Sequence, residues 1–252
     1  MNEPVGRRRR GELAFQIINS VLVVAILGFY AYRLFYYKAD FAKKKSTANT
    51  VFLSDTLINK IDLMSTSGLH ENQDGSYSVL GAATDNYVLY TGLIYRVIGI
   101  NTNGNVMMVS QDSVTSFTMA DGTAFTGTSL YAWLNESTAD QRSGVFYKTL
   151  NMPYGTLTGS AMCQDTVDDV ANIGCQLVSD KVTVGLLTLN DYKTAGAKDS
   201  FLNNGQSFWL GSTNKAGRFW YVTADGSLTV ATGNNQMNGV RPVLTLSYEV
   251  IA

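Results

Sequence analysis

The sequence predicts an α+β fold: a mostly antiparallel, β-rich domain with a few helices, preceded by a single N-terminal transmembrane helix. Three observations predict it. Twenty consecutive residues without a formal charge, Leu13–Tyr32, stand between Glu12 and Arg33. After Gly68 the chain breaks into short apolar runs separated by Gly, Asn, Asp and Thr, the texture of strands and turns. Two stretches, 51–64 and 129–150, instead repeat apolar residues at helical spacing, which segregates helices from strands.

The 252 residues suit one domain of about 200 plus an appendage. The formal charge of −1 averages two opposite parts: residues 1–45 carry nine basic and three acidic groups, and residues 46–252 carry ten basic and seventeen acidic. The acidic bulk argues against nucleic-acid binding. One His and two Cys exclude a His-rich metal centre or a zinc ribbon, so no metal or cofactor is expected.

The first element is the apolar run. At ~1.5 Å per residue a helix over Leu13–Tyr32 covers ~30 Å, a bilayer core. Phe29, Tyr30, Tyr32, Phe35, Tyr36 and Tyr37 gather at its exit, as interfacial rings do. A cleaved signal peptide fits less well, since its shorter apolar stretch ends in small residues. Arg7–Arg10 favour a cytoplasmic basic tail at 1–12 and an external domain, with the bilayer as partner through Leu13–Tyr32. Residues 33–67 read as a juxtamembrane linker and stalk helix, with Val51, Leu57, Ile58, Ile61 and Met64 at helical spacing.

The extracytoplasmic α+β domain is expected over 68–252. Tyr87–Tyr90 and Leu93–Ile100, separated by Thr91-Gly92, read as a hairpin that returns through Asn101–Asn105 into Val106–Ser110. Residues 129–150 predict one or two helices broken near Ser143-Gly144. Val182–Leu189, Phe208–Ser212, Phe219–Thr223, Ser227–Val230 and Val240–Leu246 read as strands, and Pro242 places the last one's start, or an edge, at that residue. Cys163 and Cys175 enclose eleven residues and, outside the cell, are expected to form a disulfide worth ~3 kcal/mol.

Asn86-Tyr87-Val88, Gly92, Tyr95–Ile98, Ile100-Asn101 and Gly104, followed by Val182–Tyr192, Phe208–Leu210 and Gly239–Leu246, together resemble DUF6273, an uncharacterised extracytoplasmic domain of Gram-positive gut bacteria. The resemblance covers roughly residues 76–250 and implies a module rather than an activity. The C-terminal pattern FWLGSTNKAGRFWYVTADGSL, then GVRPVL, is similar to C-type-lectin-like folds. The Glu-Pro-Asn and Trp-Asn-Asp motifs of the lectin calcium site do not occur, so calcium-dependent sugar binding does not follow. Formylglycine-generating enzymes share related folds but use cysteines that this chain lacks after Cys175. Arg7–Arg10 and Gly11 also resemble a prepilin leader, although Gln16 stands where that leader's Glu belongs.

Catalytic motifs are sparse. Ser212-Thr213-Asn214-Lys215 matches S-x-x-K, but it falls in a polar turn without its companion motifs and reads as coincidence. His70 reads as a solvated loop residue. Asp165, Asp168 and Asp169 lack the alternation of a calcium loop and read as a solvated cluster. Arg241 reads as structural, pairing with an acidic or carbonyl group. The candidate ligand site is Trp209, Trp220, Tyr221, Asn234, Asn235 and Asn238, where exposed rings beside amides would suit a glycan or a partner protein; the alternative is core tryptophans beside a polar loop.

The sequence thus predicts a membrane-anchored, surface-displayed, non-enzymatic protein that binds an external glycan or protein ligand. A minor-pilin-like or envelope-complex subunit with assembly partners is the alternative, and an envelope hydrolase stands third.

Overall fold

The computed structural model describes residues 53–63, 68–122, 124–136, 142–151, 156–160, 162, 166–168 and 182–250. The chain divides into compact units at 1–50 and 51–252, and all described residues belong to the second. They form an α+β fold of two sheets. The first runs β1 (Leu69–Glu71), β2 (Tyr77–Val79), β4 (Leu93–Ile100), β5 (Val106–Ser110), β12 (Pro242–Leu246) and β7 (Val184–Leu186), with β3 (Tyr87–Tyr90) paired to β4. The second runs β10 (Leu228–Val230), β9 (Phe219–Val222), β8 (Phe208–Thr213), β11 (Met237–Val240) and β6 (Thr115–Thr118). Every strand pair is antiparallel except β11 with β8. The helices are α1 (Leu53–Leu63), α2 (Ser129–Asn135), α3 (Val145–Thr149) and α4 (Leu189–Thr194).

The expected meander forms as read. Thr91 and Gly92 both take positive φ, 50° and 81°, in the two-residue turn that joins β3 to β4. This pair of values defines a type I′ turn, whose twist matches that of the strands. The next turn is held by Asn101, whose Oδ1 accepts from the Asn103 and Asn105 amides at 3.0 Å each. A bulge at Ile98 shifts the β4–β5 register, and beside it Gly99 lets β2 approach: a Cβ there would lie 2.5 Å from the Tyr77 carbonyl.

The core lies on and between these strands, with Tyr95, Met108, Val184, Leu210, Phe208, Phe219 and Leu244 fully buried. Each such large apolar side chain stabilises the fold by roughly 1.5–3 kcal/mol relative to exposure. Helix α1 joins the same unit: its Leu53 amide donates to the Val250 carbonyl at 2.9 Å, and Leu57 is buried.

Two strand boundaries differ from the sequence reading, as do the placements of Pro242 and His70. Val182–Leu189 is not one strand, because Thr188 starts α4 with a capping box: its hydroxyl accepts from the Asp191 amide while the Asp191 carboxyl accepts from the Thr188 amide. Val240–Leu246 divides at Arg241 into β11 and β12, one in each sheet. Pro242 begins β12 as read, yet the strand is internal, paired with both β5 and β7. His70 lies on β1, exposed, rather than in a loop.

The membrane reading requires correction. A spanning helix needs ~20 apolar residues. Among the described residues no helix is long and apolar enough to cross a membrane. Helix α1 has eleven residues, LSDTLINKIDL, with polar groups throughout. The segment Leu13–Tyr32, the tail 1–12 and the linker up to residue 52 lie outside the described residues, as do Cys163 and Cys175. The fold class is therefore corrected to an α+β domain with no spanning helix among its described residues. The membrane-anchored and surface-displayed function, the lipid-bilayer partner through Leu13–Tyr32, and the single-pass localisation with a cytoplasmic N-terminus and an extracytoplasmic domain all rested on a spanning helix, and none of the described helices supplies one. The anchored envelope or pilus subunit rested on the same helix.

Candidate functional site

The residues expected to bind a ligand do not converge. Trp209 on β8 is 1% exposed and Trp220 on β9 is 7% exposed, so neither ring has a face to offer. Each indole N–H is satisfied internally, Trp209 Nε1 donating to the Phe117 carbonyl at 2.7 Å and Trp220 Nε1 to the Val167 carbonyl at 2.9 Å. Trp209 and Tyr221 are cross-strand partners and meet edge to face, 5.7 Å between centroids. Trp220, one residue from Tyr221 along β9, points to the opposite side of the sheet. Asn234 and Asn235 are exposed in the loop before β11, and the Asn234 Oδ1 accepts from the Asp121 amide at 2.8 Å. Asn238 is buried within β11. The aromatic cluster is thus core packing, as dispersion and area burial favour for large rings.

The S-x-x-K tetrapeptide is likewise structural. Ser212 is buried on β8, and its hydroxyl accepts from the Leu189 amide at 2.8 Å, fixing the start of α4. Lys215 forms an ion pair with Asp168 at 3.3 Å, and its amide donates to the same carboxylate at 2.9 Å. That backbone bond is the main reason the Asp168 carboxyl is held below the usual range. Asp165 and Asp169 lie outside the described residues, and among those described no group of three His, Cys, Asp or Glu could hold a metal.

A concavity lies elsewhere, a groove of about 500 Å³ between the β4–β5 turn, β2, residues 158–160 and α4. Sheet geometry builds one wall: Tyr77 and Ser78 on β2 pair with Ile100 and Gly99 on β4. Met107 and Thr245, cross-strand partners on β5 and β12, contribute to its lining, and Ser160 and Thr245 share a hydrogen bond between hydroxyls. Thr102 and Asn103 in the turn, with Asn190 and Thr194 on α4, add further hydroxyl and amide groups. The capping box sets the direction of α4 and so places the last two.

Two carboxyls line the groove, and their surroundings push them apart. Asp74 accepts from the Ser76 hydroxyl and amide at 2.6 and 3.0 Å, and the hydroxyl bond is the larger reason that it stays ionised below the usual range. Burial raises the Asp191 carboxyl above its ordinary value, partly offset by its bonds from the Thr188 amide and hydroxyl at 2.8 and 2.7 Å. No lysine, arginine or histidine lines the groove among the described residues. Such a surface suits hydrogen-bonding ligands that are neutral or positively charged and disfavours anions. Composition could not have found this site, because its members come from five separate segments and carry no motif.

No family model matches the chain, and no curated protein or solved structure matches it.

Proposed function

We propose that this α+β domain is a non-catalytic recognition module whose seat is the groove between the β4–β5 turn and α4, taking a small polar molecule that is neutral or positively charged. The observation that carries the reading is the lining: hydroxyls and amides from Ser78, Thr102, Asn103, Asn190 and Thr194, two carboxyls, and no cationic side chain among the described residues. Tyr77 and Met107 supply apolar surface against which a carbon skeleton can rest. The non-catalytic part rests on Asp191. Both hydrogen bonds to its Oδ2 come from Thr188 at the helix cap, and the reading takes this carboxyl as a cap that holds α4.

Titration calorimetry with a panel of polyols, alkylamines, carboxylates and phosphates tests it. Polyols or amines are expected to bind, unchanged on recovery, and the anions are not. Thr194→Arg, which brings a bulky cation into the groove, is expected to weaken that binding by about tenfold or more. Failure of every polyol and amine at millimolar concentration, or binding indifferent to Thr194→Arg, overturns the reading.

A further inference from the structure

Strand β3 is an edge with an unusual surface. Tyr90 and Leu93 flank the two-residue turn and so form a hydrogen-bonded pair. Antiparallel pairs alternate, which makes Val88 with Tyr95 the next bonded pair and Asn86 with Val97 the one after. The Val97 amide does donate to the Asn86 carbonyl at 2.8 Å. Tyr87 and Leu89 are therefore the residues whose backbone N–H and C=O point away from β4, and among the described residues no strand pairs with that side of β3.

Edges of this kind are normally blunted with lysine, proline or a bulge. Residues 86–92, NYVLYTG, hold no lysine and no proline, and the β3–β4 register is unbroken. Large apolar side chains stand out on it instead: Leu89 is 75% exposed, Ile94 directly opposite is 52% exposed, and Tyr87 is 48% exposed. The Tyr87 ring is held in place, its hydroxyl accepting from Arg96 Nη1 at 2.8 Å while the guanidinium lies 4.0 Å from the ring centre.

We propose that β3 pairs antiparallel with the β3 of a second copy of this chain, with Val88 on the two-fold axis. Charge and register single out that partner. The ten residues Asn86–Tyr95 carry no formal charge, so no like-charge repulsion opposes two copies that meet along β3. With Val88 opposite its own copy, Tyr87 faces the second copy's Leu89, and the unpaired N–H and C=O of both residues come into bonding register on each side of the axis. The strand is then complementary to itself, and Tyr87 against Leu89 makes an aromatic–aliphatic cross-strand pair twice. A shift of one residue would oppose outward-pointing groups to inward-pointing ones and lose those bonds.

A five-residue edge alone falls short of the roughly 800 Å² per partner of an ordinary stable interface. The apolar surface continues past the turn, where Leu93 and Ile94 line a groove of about 480 Å³ with Val114, Trp133 and Phe146. Val145, next to Phe146 in sequence, is 58% exposed. The association expected is accordingly a weak, concentration-dependent dimer.

Sedimentation equilibrium of the full chain over a range of concentrations tests it. The average mass is expected to rise from monomer towards dimer, and Leu89→Lys is expected to raise the dissociation constant by about tenfold or more. Leu89 is exposed, so an unchanged melting temperature shows that the variant stays folded. A chain that is monomeric at every concentration, or whose self-association is indifferent to Leu89→Lys, overturns the proposal. Should Leu89→Lys unfold, Val88→Cys decides alone: under mild oxidation it is expected to give a reducible covalent dimer that the parent chain does not form, and its absence overturns the pairing.

Discussion

Asn135 and Val184 exchange two hydrogen bonds. The Asn135 Nδ2 donates to the Val184 carbonyl and the Val184 amide donates to Asn135 Oδ1, both at 2.9 Å, with Asn135 fully buried. The side chain at the end of α2 thus acts as a short strand against the open edge of β7, satisfying backbone groups that burial would otherwise leave unpaired. Asn135→Ala leaves that donor and acceptor without partners and is expected to cost ~2–4 kcal/mol. Urea unfolding measures it, as a lowered midpoint at unchanged slope.

Arg241 links the two sheets. It stands between β11 and β12, with Nε donating to the Ser110 carbonyl at 2.9 Å and Nη1 to the Leu202 carbonyl at 2.5 Å, its guanidinium 4.7 Å from the centre of the Phe208 ring. Burial lowers its pKa to about 10, so it is charged at neutral pH. A lysine cannot reach both carbonyls from one point charge, and Arg241→Lys is expected to destabilise by ~2–4 kcal/mol. Equilibrium unfolding at pH 7 checks this.

Asp191 gives a pH dependence whose sign follows from its surroundings. Burial raises its folded pKa above the ordinary 3.8, so the folded state binds more protons than the unfolded state between the two values. The stability this contributes is fully present below about pH 3.8 and is lost as pH rises through the folded value. Asp191→Asn removes the titration and keeps an acceptor for the Thr188 amide. The difference in unfolding free energy between parent and variant is expected to shift towards the variant with rising pH, then level off. A flat difference across the acid range would count against a raised Asp191.

Ser212 is predicted to be a cap and not a nucleophile. Ser212→Ala removes the acceptor for the Leu189 amide and is expected to cost ~1 kcal/mol in urea unfolding. The parent protein is expected to take no covalent label from a fluorescent β-lactam.

Gly99 is predicted to be intolerant of a side chain. A Cβ 2.5 Å from the Tyr77 carbonyl would push β2 from β4 and distort a wall of the ligand groove. Gly99→Val is expected to cost ~1–3 kcal/mol and to weaken polyol or amine binding in calorimetry more than its stability loss explains.

Local chemistry alone determined much of this molecule. Thr91-Gly92 and the Asn101–Asn105 turn fixed the β3–β4–β5 meander, because positive φ and Asx bonding are decided within a few residues. Short apolar runs broken by turn residues, beside two stretches at helical spacing, determined that strands and segregated helices would form. The capping box of α4 was also present as Thr188-x-x-Asp191, but the apolar run before it read as a continuing strand. Only the tertiary structure decided which aromatics are buried: Trp209 and Trp220 looked like a platform and are core, since exposure depends on what packs across a sheet and not on spacing. The groove, too, exists only after folding, because residues 74–79, 98–107, 158–160, 190–195 and 245 meet through strand register. That register is a long-range choice, set by burying the apolar side chains of several strands together, and no single segment of the sequence records it.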